Sequence, residues 1–316
     1  MIDKYNRHIN YLRVSVTKRC NLNCTYCGAK SEKSAELSPS EIEKIVRAFA
    51  FHGITKVRLT GGEPLVREDI AEIAARINKI EGIKKLAITT NGIKLKKYAK
   101  ELKNAGITAV NISLDTTDRQ QFKAITGFDG LNSVYEGIAE CEKVGLSPIR
   151  LNAVLTKGVN DNEAGNLIEI ARTRKIDVRF IELMPFSYDG ENDSLIIKGE
   201  DILSEFPFLK PFVKDGTSDF EKGVARYYTA DGFEGRIGFI TPVSQQFCSE
   251  CNRIRLLSDG KIKPCLGNPE EYDIMKFIDD DEKLKEEVKR IILSKPSSHS
   301  FNCGYGNHHG LNLIGG

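Results

Sequence analysis

The sequence predicts an α/β protein: an open, partial (β/α)6 TIM-like barrel with a smaller, mostly-β appendage at its C-terminal end. Three observations predict it. Short strand-like runs alternate with amphipathic helical patterns from residue 11 to residue 183, and such alternation implies parallel strands joined by helical crossovers. Only six units can be found, too few to close an eight-stranded barrel. After Met184-Pro185 the composition turns to Gly, Asp, Ser and Pro, and the later strand-like runs follow one another without long helices between them. The expected division is a core over 1–184 and an appendage over 185–316. A doubly wound sheet satisfies the same periodicity.

Residues 11–17 (Tyr-Leu-Arg-Val-Ser-Val-Thr) read as the first strand. Ser38-Pro39-Ser40-Glu41 is a helix start, with Ser as N-cap, Pro at the first helical position and Glu three residues after the cap. The helix it opens, 39–51, leads to a strand over 56–60 that ends in Gly61-Gly62. Further strands are expected over 85–90, 109–114, 149–155 and 177–183, with helices over 68–80, 94–104, 131–144 and 161–173. In the appendage a short helical pattern covers 200–205, and strand-like runs cover 224–230, 236–241 and 253–257. Ser258-Asp259-Gly260 reads as a hairpin turn. A charged helix over 280–293 and a Gly/His-rich tail complete the chain.

Composition narrows the function classes. The net charge is +2 over 316 residues, which argues against a nucleic-acid-binding surface and requires any anion site to be a local cluster. No apolar run approaches membrane-spanning length, so no membrane partner is expected. The start, Met1-Ile-Asp-Lys-Tyr-Asn, lacks the apolar core of a signal peptide. A cytoplasmic address is the expectation. Eight cysteines agree with it if most are reduced or metal-bound.

Three of those cysteines fall within Cys20-Asn-Leu-Asn-Cys24-Thr-Tyr-Cys27, a C-x3-C-x2-C spacing with no fourth cysteine nearby. Thiols this close point to a soft metal centre. A cubic iron–sulfur cluster takes four thiolates, so three leave one iron open to a ligand that is not protein. Structural zinc, the competing reading, also takes four protein ligands. A second set, Cys248-Ser-Glu-Cys251 and Cys265, has C-x2-C-x13-C spacing. Alone it resembles a zinc knuckle. Two three-cysteine sets in one chain favour two clusters. Cys303, 38 residues beyond Cys265, is a distant candidate ligand. Cys141 reads as a core thiol, and His308-His309 as solvated.

Polar chemistry collects after the strands, where parallel sheets build their sites. Cys20–Cys27, Gly61-Gly62-Glu63-Pro64 and Thr89-Thr90-Asn91-Gly92 follow the first three predicted strands, and Ser113-Leu114-Asp115 and Glu182 with Met184 end the fourth and sixth. Strands buried on both faces are almost wholly apolar, yet Arg13, Lys56, Arg58, Arg150 and Arg179 lie inside predicted strands. Lys56 and Arg58 share a face by the two-residue period, as do Arg253 and Arg255. Buried guanidinium groups need a partner, and several pointing inward suit a phosphate ligand. Pairing with Asp177 or Glu182 is the alternative.

The first cysteine set resembles that of the radical S-adenosylmethionine (SAM) superfamily. Both sets together resemble the GTP 3′,8-cyclase family within it, which opens molybdenum cofactor biosynthesis. The motifs that carry the resemblance are Leu12-Arg-Val-Ser-Val-Thr17 running into the first cysteine set, Lys56-Val-Arg-Leu-Thr-Gly-Gly-Glu-Pro64, Arg179-Phe-Ile-Glu-Leu-Met184, Cys248–Cys265 and the closing Ile314-Gly315-Gly316. The resemblance implies that Cys20, Cys24 and Cys27 hold a [4Fe–4S] cluster and that Tyr26, Gly62, Glu63, Ser113 and Met184 contact SAM. It implies a second [4Fe–4S] cluster on Cys248, Cys251 and Cys265, with its open iron on guanine. Arg13, Arg58, Thr89, Arg150, Arg253 and Arg255 match GTP-contacting positions, and Lys56 and Arg179 join them around the triphosphate. Arg150 stands where the family often has Lys, which keeps the charge. Arg13, Arg253, Arg255 and the inserted tail Gly315-Gly316 are the implied catalytic residues. A 5′-deoxyadenosyl radical would take hydrogen from C3′ of GTP, and the carbon radical would attack C8. An external electron donor and a downstream cyclic pyranopterin monophosphate synthase are the implied partners, and the assembly would be a monomer or homodimer. A peptide-modifying radical SAM enzyme and a zinc-stabilised nucleic-acid module are the competing readings; the first predicts an acidic or apolar groove.

Overall fold

A computed structural model describes residues 1–27, 35–184, 192–212 and 224–301. The core runs β1 (Tyr11–Ser15), α1 (Pro39–Phe51), β2 (Lys56–Thr60), α2 (Ile70–Asn78), β3 (Lys85–Thr90), α3 (Leu95–Asn104), β4 (Ala109–Ser113), α4 (Arg119–Thr126), α5 (Leu131–Lys143), β5 (Ile149–Val154), α6 (Ala164–Thr173) and β6 (Ile176–Ile181). There follow α7 (Gly199–Glu205), β7 (Lys210–Pro211), β8 (Arg226–Thr229), β9 (Ile237–Ile240), β10 (Arg253–Leu256), β11 (Lys261–Lys263), β12 (Tyr272–Asp273) and α8 (Asp281–Leu293).

Helix starts follow the local chemistry. Ser38 accepts a hydrogen bond from the Glu41 N–H while the Glu41 carboxylate accepts from the Ser38 N–H, a full capping box. One helix, α4, was not among the predicted elements. Its signals are short: Asp118 caps its start by accepting from the Gln121 N–H, and Gly127 ends it with φ of 72°, a conformation that costs glycine little.

The strands form one twelve-stranded sheet in the order β12-β11-β10-β1-β2-β3-β4-β5-β6-β9-β8-β7. It is open, as expected. The C-terminal strands do not build a sheet of their own. β10 pairs in parallel with β1, and β9 in parallel with β6, so the six-strand core gains a parallel neighbour at each edge. β11 and β8 then turn antiparallel.

The two faces of the strands differ. Leu12, Val14, Val57, Leu59, Leu86, Ile88, Val110, Ile112, Leu151 and Val178 are at most 1% exposed and join Ile45, Phe49, Ile73, Ile77, Leu102, Ile138 and Leu167 of the helices in one apolar core. Burying this surface is the main driving force for the fold. The residues between them point the other way and line a cavity. The cations in the strands are thus explained by alternation. Among the described residues, no helix is long and apolar enough to cross a membrane.

Candidate active site

The first cysteine loop leaves β1 and is moored at four points. The last carbonyls of α4, which have no partner inside the helix, accept from the loop: Thr126 O from the Asn23 N–H and Ile125 O from the Thr25 N–H, each at 2.9 Å. Gly62 packs on the loop's entry, its N–H bonded to Thr17 O at 2.8 Å. Glu63 is buried; its carboxylate accepts from Leu65 N–H at 2.9 Å, Thr90 Oγ1 at 2.7 Å and Asn91 N–H at 2.6 Å. Burial pushes its carboxyl up to about 7, against those donors. Asn91 in turn donates to Asn21 Oδ1 at 2.9 Å. The fourth mooring is Tyr26, whose hydroxyl donates to Asp115 at 2.7 Å. Burial raises the Asp115 carboxyl to about 6.

Beside this loop, a cavity of about 410 Å³ opens on the polar face of the sheet, within the roughly 300–1,000 Å³ of small-molecule sites. Tyr26, Ser113 and Met184 line it, as do Arg13, Lys56, Arg58, Thr89, Arg150, Arg179, Arg253 and Arg255, and Cys248, Cys251 and Cys265. Sheet register sets the cations side by side. Arg13 lies between Arg255 on β10 and Arg58 on β2, and Tyr11 between Arg253 and Lys56.

These cations have few counter-charges. Arg58 donates to Tyr11 and, at 3.3 Å, to Thr89 Oγ1. Arg179 Nε donates to the Tyr227 hydroxyl at 2.7 Å. Arg253 stacks over Phe247 at 5.5 Å. Arg150 does approach Asp177, at 3.6 Å, but Asp177 is already held by two bonds from Arg236 at 3.0 and 2.8 Å. Glu182 pairs with none of them; it accepts from Val243 N–H and Ser244 N–H instead. Burial and the neighbouring Arg253 lower the Arg255 guanidinium to about 10, and burial with Arg255 lowers Arg13 well below its ordinary value. Tyr11 shows the same field from the other side. Burial would raise its phenol, but Arg58, Arg13 and Arg253 bring it down to about 8. Asn111 Oδ1 and Asn152 Oδ1 are buried without hydrogen-bond partners among the described residues, and both side chains line the cavity. Such a space suits an anion that also offers hydrogen-bond donors.

The second thiol set forms the far end of the cavity. Cys251 lies two residues before β10 and Cys265 two residues after β11, so the antiparallel hairpin returns them to the same end. Burial would raise the Cys251 thiol, yet Lys295 and Arg253 hold it at about 7. The first set differs: burial raises Cys20 and Cys24, and the nearby Glu63 and Asp115 push the same way. Coordination to a metal ion deprotonates such thiols outright. None of the six is in a disulfide, and all are half-buried. Among the described residues no three His, Cys, Asp or Glu side chains converge on one point as a mononuclear metal site. A cluster takes its thiolates on separate irons, and two spaced three-thiol sets fit it.

The cavity thus unites most of the predicted site residues, including every predicted nucleotide contact. Cys20, Cys24 and Cys27 are not among its lining, though Tyr26 of their loop is; Gly62 and Glu63 also stay outside it and shape the loop that carries those thiols. Gly315, Gly316, Cys303 and His308-His309 lie outside the described residues. Asn111, Asn152, Tyr11, Tyr227 and Lys295 were not predicted. The two asparagines were detectable, since they are polar residues at alternate positions of apolar strands; the others acquire meaning only from strands far away in sequence.

Comparison with known proteins agrees with this geometry. Residues 14–171 match the Radical SAM superfamily and residues 176–301 match Molybdenum Cofactor Synthesis C. The chain is 43% identical over 325 residues to a GTP 3′,8-cyclase of Alkaliphilus oremlandii, covering 100% of both chains. It is 43% identical over 306 residues to a GTP 3′,8-cyclase of Clostridium acetobutylicum, covering 96% of this chain and 95% of that one. In fold it resembles the structure of Streptococcus suis SuiB bound to S-adenosylmethionine, with TM-score 0.60 and 18% identity over 90% of this chain and 69% of that chain. Both cysteine sets, the cationic cavity between them and full-length similarity therefore lead to one conclusion: the chain belongs to the GTP 3′,8-cyclase family of the radical SAM superfamily.

Proposed function

We propose that this protein is a lyase that converts GTP to (8S)-3′,8-cyclo-7,8-dihydroguanosine 5′-triphosphate, the first step of molybdenum cofactor biosynthesis. Family membership supports the reaction. The single observation that carries the substrate is the row Arg255–Arg13–Arg58 with Lys56, Arg150, Arg179 and Arg253 around one cavity. An acidic or apolar peptide groove would look different.

We read Cys20, Cys24 and Cys27 as holding a [4Fe–4S] cluster, with Tyr26, Gly62, Glu63, Ser113 and Met184 ordering SAM beside it. When bound, these groups supply the 5′-deoxyadenosyl radical that takes hydrogen from C3′ of GTP. Cys248, Cys251 and Cys265 are read as holding a second [4Fe–4S] cluster at the guanine end. The protein's own share is orientation. Arg58, Thr89, Lys56, Arg150 and Arg179 would clamp the nucleotide, while Arg13, Arg253 and Arg255 fix the reacting half and exclude water. Gly315 and Gly316 are read as entering the site as a backbone without side chains. On this reading residues 1–184 generate the radical and residues 185–316 present the substrate. An external reductant and a downstream cyclic pyranopterin monophosphate synthase complete the proposal, for a cytoplasmic monomer or homodimer.

The test is iron and sulfide content of anaerobically reconstituted protein, followed by incubation with SAM, reductant and GTP. About eight irons are expected, four per cluster, with a GTP-dependent cyclised product. SAM cleavage with GTP left intact would refute the cyclase. About four irons would refute the second cluster. Removing Gly315-Gly316 should abolish product with both clusters retained.

A further inference from the structure

Two buried cations hold the second thiol set, and neither belongs to the nucleotide clamp. Lys295, just beyond α8, is 2% exposed. Its ammonium donates to the Arg253 carbonyl at 2.9 Å and to the Pro264 carbonyl at 2.7 Å, and it hydrogen-bonds the Cys251 thiol. Arg253 lies two residues past Cys251, and Pro264 directly precedes Cys265. One ammonium therefore grips both arms of the β10–β11 hairpin at the end that carries the thiols.

Arg7, 5% exposed, secures the third thiol. It donates to Cys248 O and Ser297 O at 3.0 Å each and to Pro296 O at 2.7 Å, tying Cys248 to the segment that bears Lys295. The two cations differ in their counter-charge. Arg7 is neutralised by Asp3, with Nη2 2.6 Å from its carboxylate. The partners of Lys295 among the described residues are two carbonyls and a thiol, none a carboxylate. A buried ammonium without an anion is costly, and among the described residues the groups beside it that can carry negative charge are the thiols of this set. The first set has the opposite surroundings, with Glu63 and Asp115 beside it.

We infer that Lys295 is a positioning residue for the second cluster, which holds Cys251 and Cys265 together and whose fixed charge moves that cluster to a more positive reduction potential. The inference rests on reading Cys248, Cys251 and Cys265 as a [4Fe–4S] site. Reduction adds an electron, and a nearby positive charge in a low-dielectric site favours the reduced state. Hydrogen bonds to the ligating sulfur act in the same direction.

The experiment compares full-length wild type, Lys295→Met and Lys295→Arg, each reconstituted anaerobically, by iron content and a redox titration followed by electron paramagnetic resonance. Lys295→Met should shift the second cluster's potential negative and leave the first unchanged, while Lys295→Arg should restore the wild-type value. About eight irons with an unshifted potential in Lys295→Met would overturn the role of Lys295 alone. If Lys295→Met loses the second cluster, Lys295→Arg decides: a retained cluster at the wild-type potential supports the charge, and its loss overturns it. About four irons in wild type would overturn the cluster reading and this inference with it.

Discussion

The hydroxyl of Tyr26 donates a 2.7 Å hydrogen bond to the carboxylate of Asp115, 89 residues away in sequence. It joins the residue between Cys24 and Cys27 to the loop after β4. The other Asp115 oxygen accepts from the Val154 N–H at 2.8 Å. One carboxylate thus fixes the cysteine loop against two neighbouring strands.

Tyr26→Phe should therefore loosen the loop. Leaving a buried acceptor short of a partner costs about 1–3 kcal/mol. The pH dependence has a definite sign. The folded carboxyl titrates at about 6, above its ordinary 3.8, so its contribution to stability is present below the lower value and is lost as pH rises through about 6. Without the Tyr26 bond, which favours the ionised form, the loss should extend to higher pH. Urea unfolding of the cluster-free protein from pH 4 to 8 checks this, and a superimposable profile for the variant would contradict it.

Tyr11 should make nucleotide binding pH-dependent. Its phenol titrates at about 8 among Arg58, Arg13 and Arg253. As pH rises through that value, a phenolate forms beside the cations and offsets part of their attraction for a triphosphate. GTP affinity should fall above pH 8 in wild type and change less in Tyr11→Phe. Stability runs the other way: a depressed folded pKa contributes above the ordinary value of 10, and the contribution is lost as pH falls through about 8. Calorimetric GTP titrations at pH 7 and 9 decide it, with equal slopes for both proteins as the contrary result.

Gly62 admits no side chain. A Cβ there would lie 2.3 Å from Arg19 O and 2.7 Å from Lys18 O, both backbone atoms on the way into Cys20. Gly62→Ala must displace the cysteine loop. The expected outcome is selective loss of the first cluster, with iron falling from about eight to about four and GTP still bound. Full iron content in the variant would show that the loop accommodates the methyl.

Tyr227 orients Arg179 from across β9, where Gly238 leaves the space: a Cβ on Gly238 would lie 3.1 Å from both Arg179 Cγ and Tyr227 Cε1. Tyr227→Phe removes the acceptor of the 2.7 Å bond. A hydrogen bond from a charged donor is worth about 1.5–3 kcal/mol, so GTP affinity should drop roughly 10- to 100-fold. SAM cleavage without GTP should be unaffected. Unchanged affinity would mean that packing alone orients the guanidinium.

Much of this was legible before any coordinates. Arg13, Lys56, Arg58, Arg253 and Arg255 could be assigned to shared strand faces because the two-residue period is a local property of the backbone. The thiol sets were legible from spacing, and the capping box of α1 from four consecutive residues. Helix α4 was less so: eight residues with Phe122, Ile125 and Thr126 as the buried stripe offer little periodicity to read.

By itself, then, the sequence determined which groups exist, their order and which strand face each occupies. Covalent spacing and backbone periodicity suffice for that. Only the tertiary structure decided who stands beside whom. β10 joins the sheet next to β1 rather than after β9, which puts Arg255 against Arg13 and the second thiols at one end of the nucleotide cavity. Lys295 reaches Cys251, and Tyr26 reaches Asp115, by the same long-range assembly. Strand order carries no local signal. It is set by which apolar faces the helices cover and which edges remain to be paired, a balance struck over the whole chain at once.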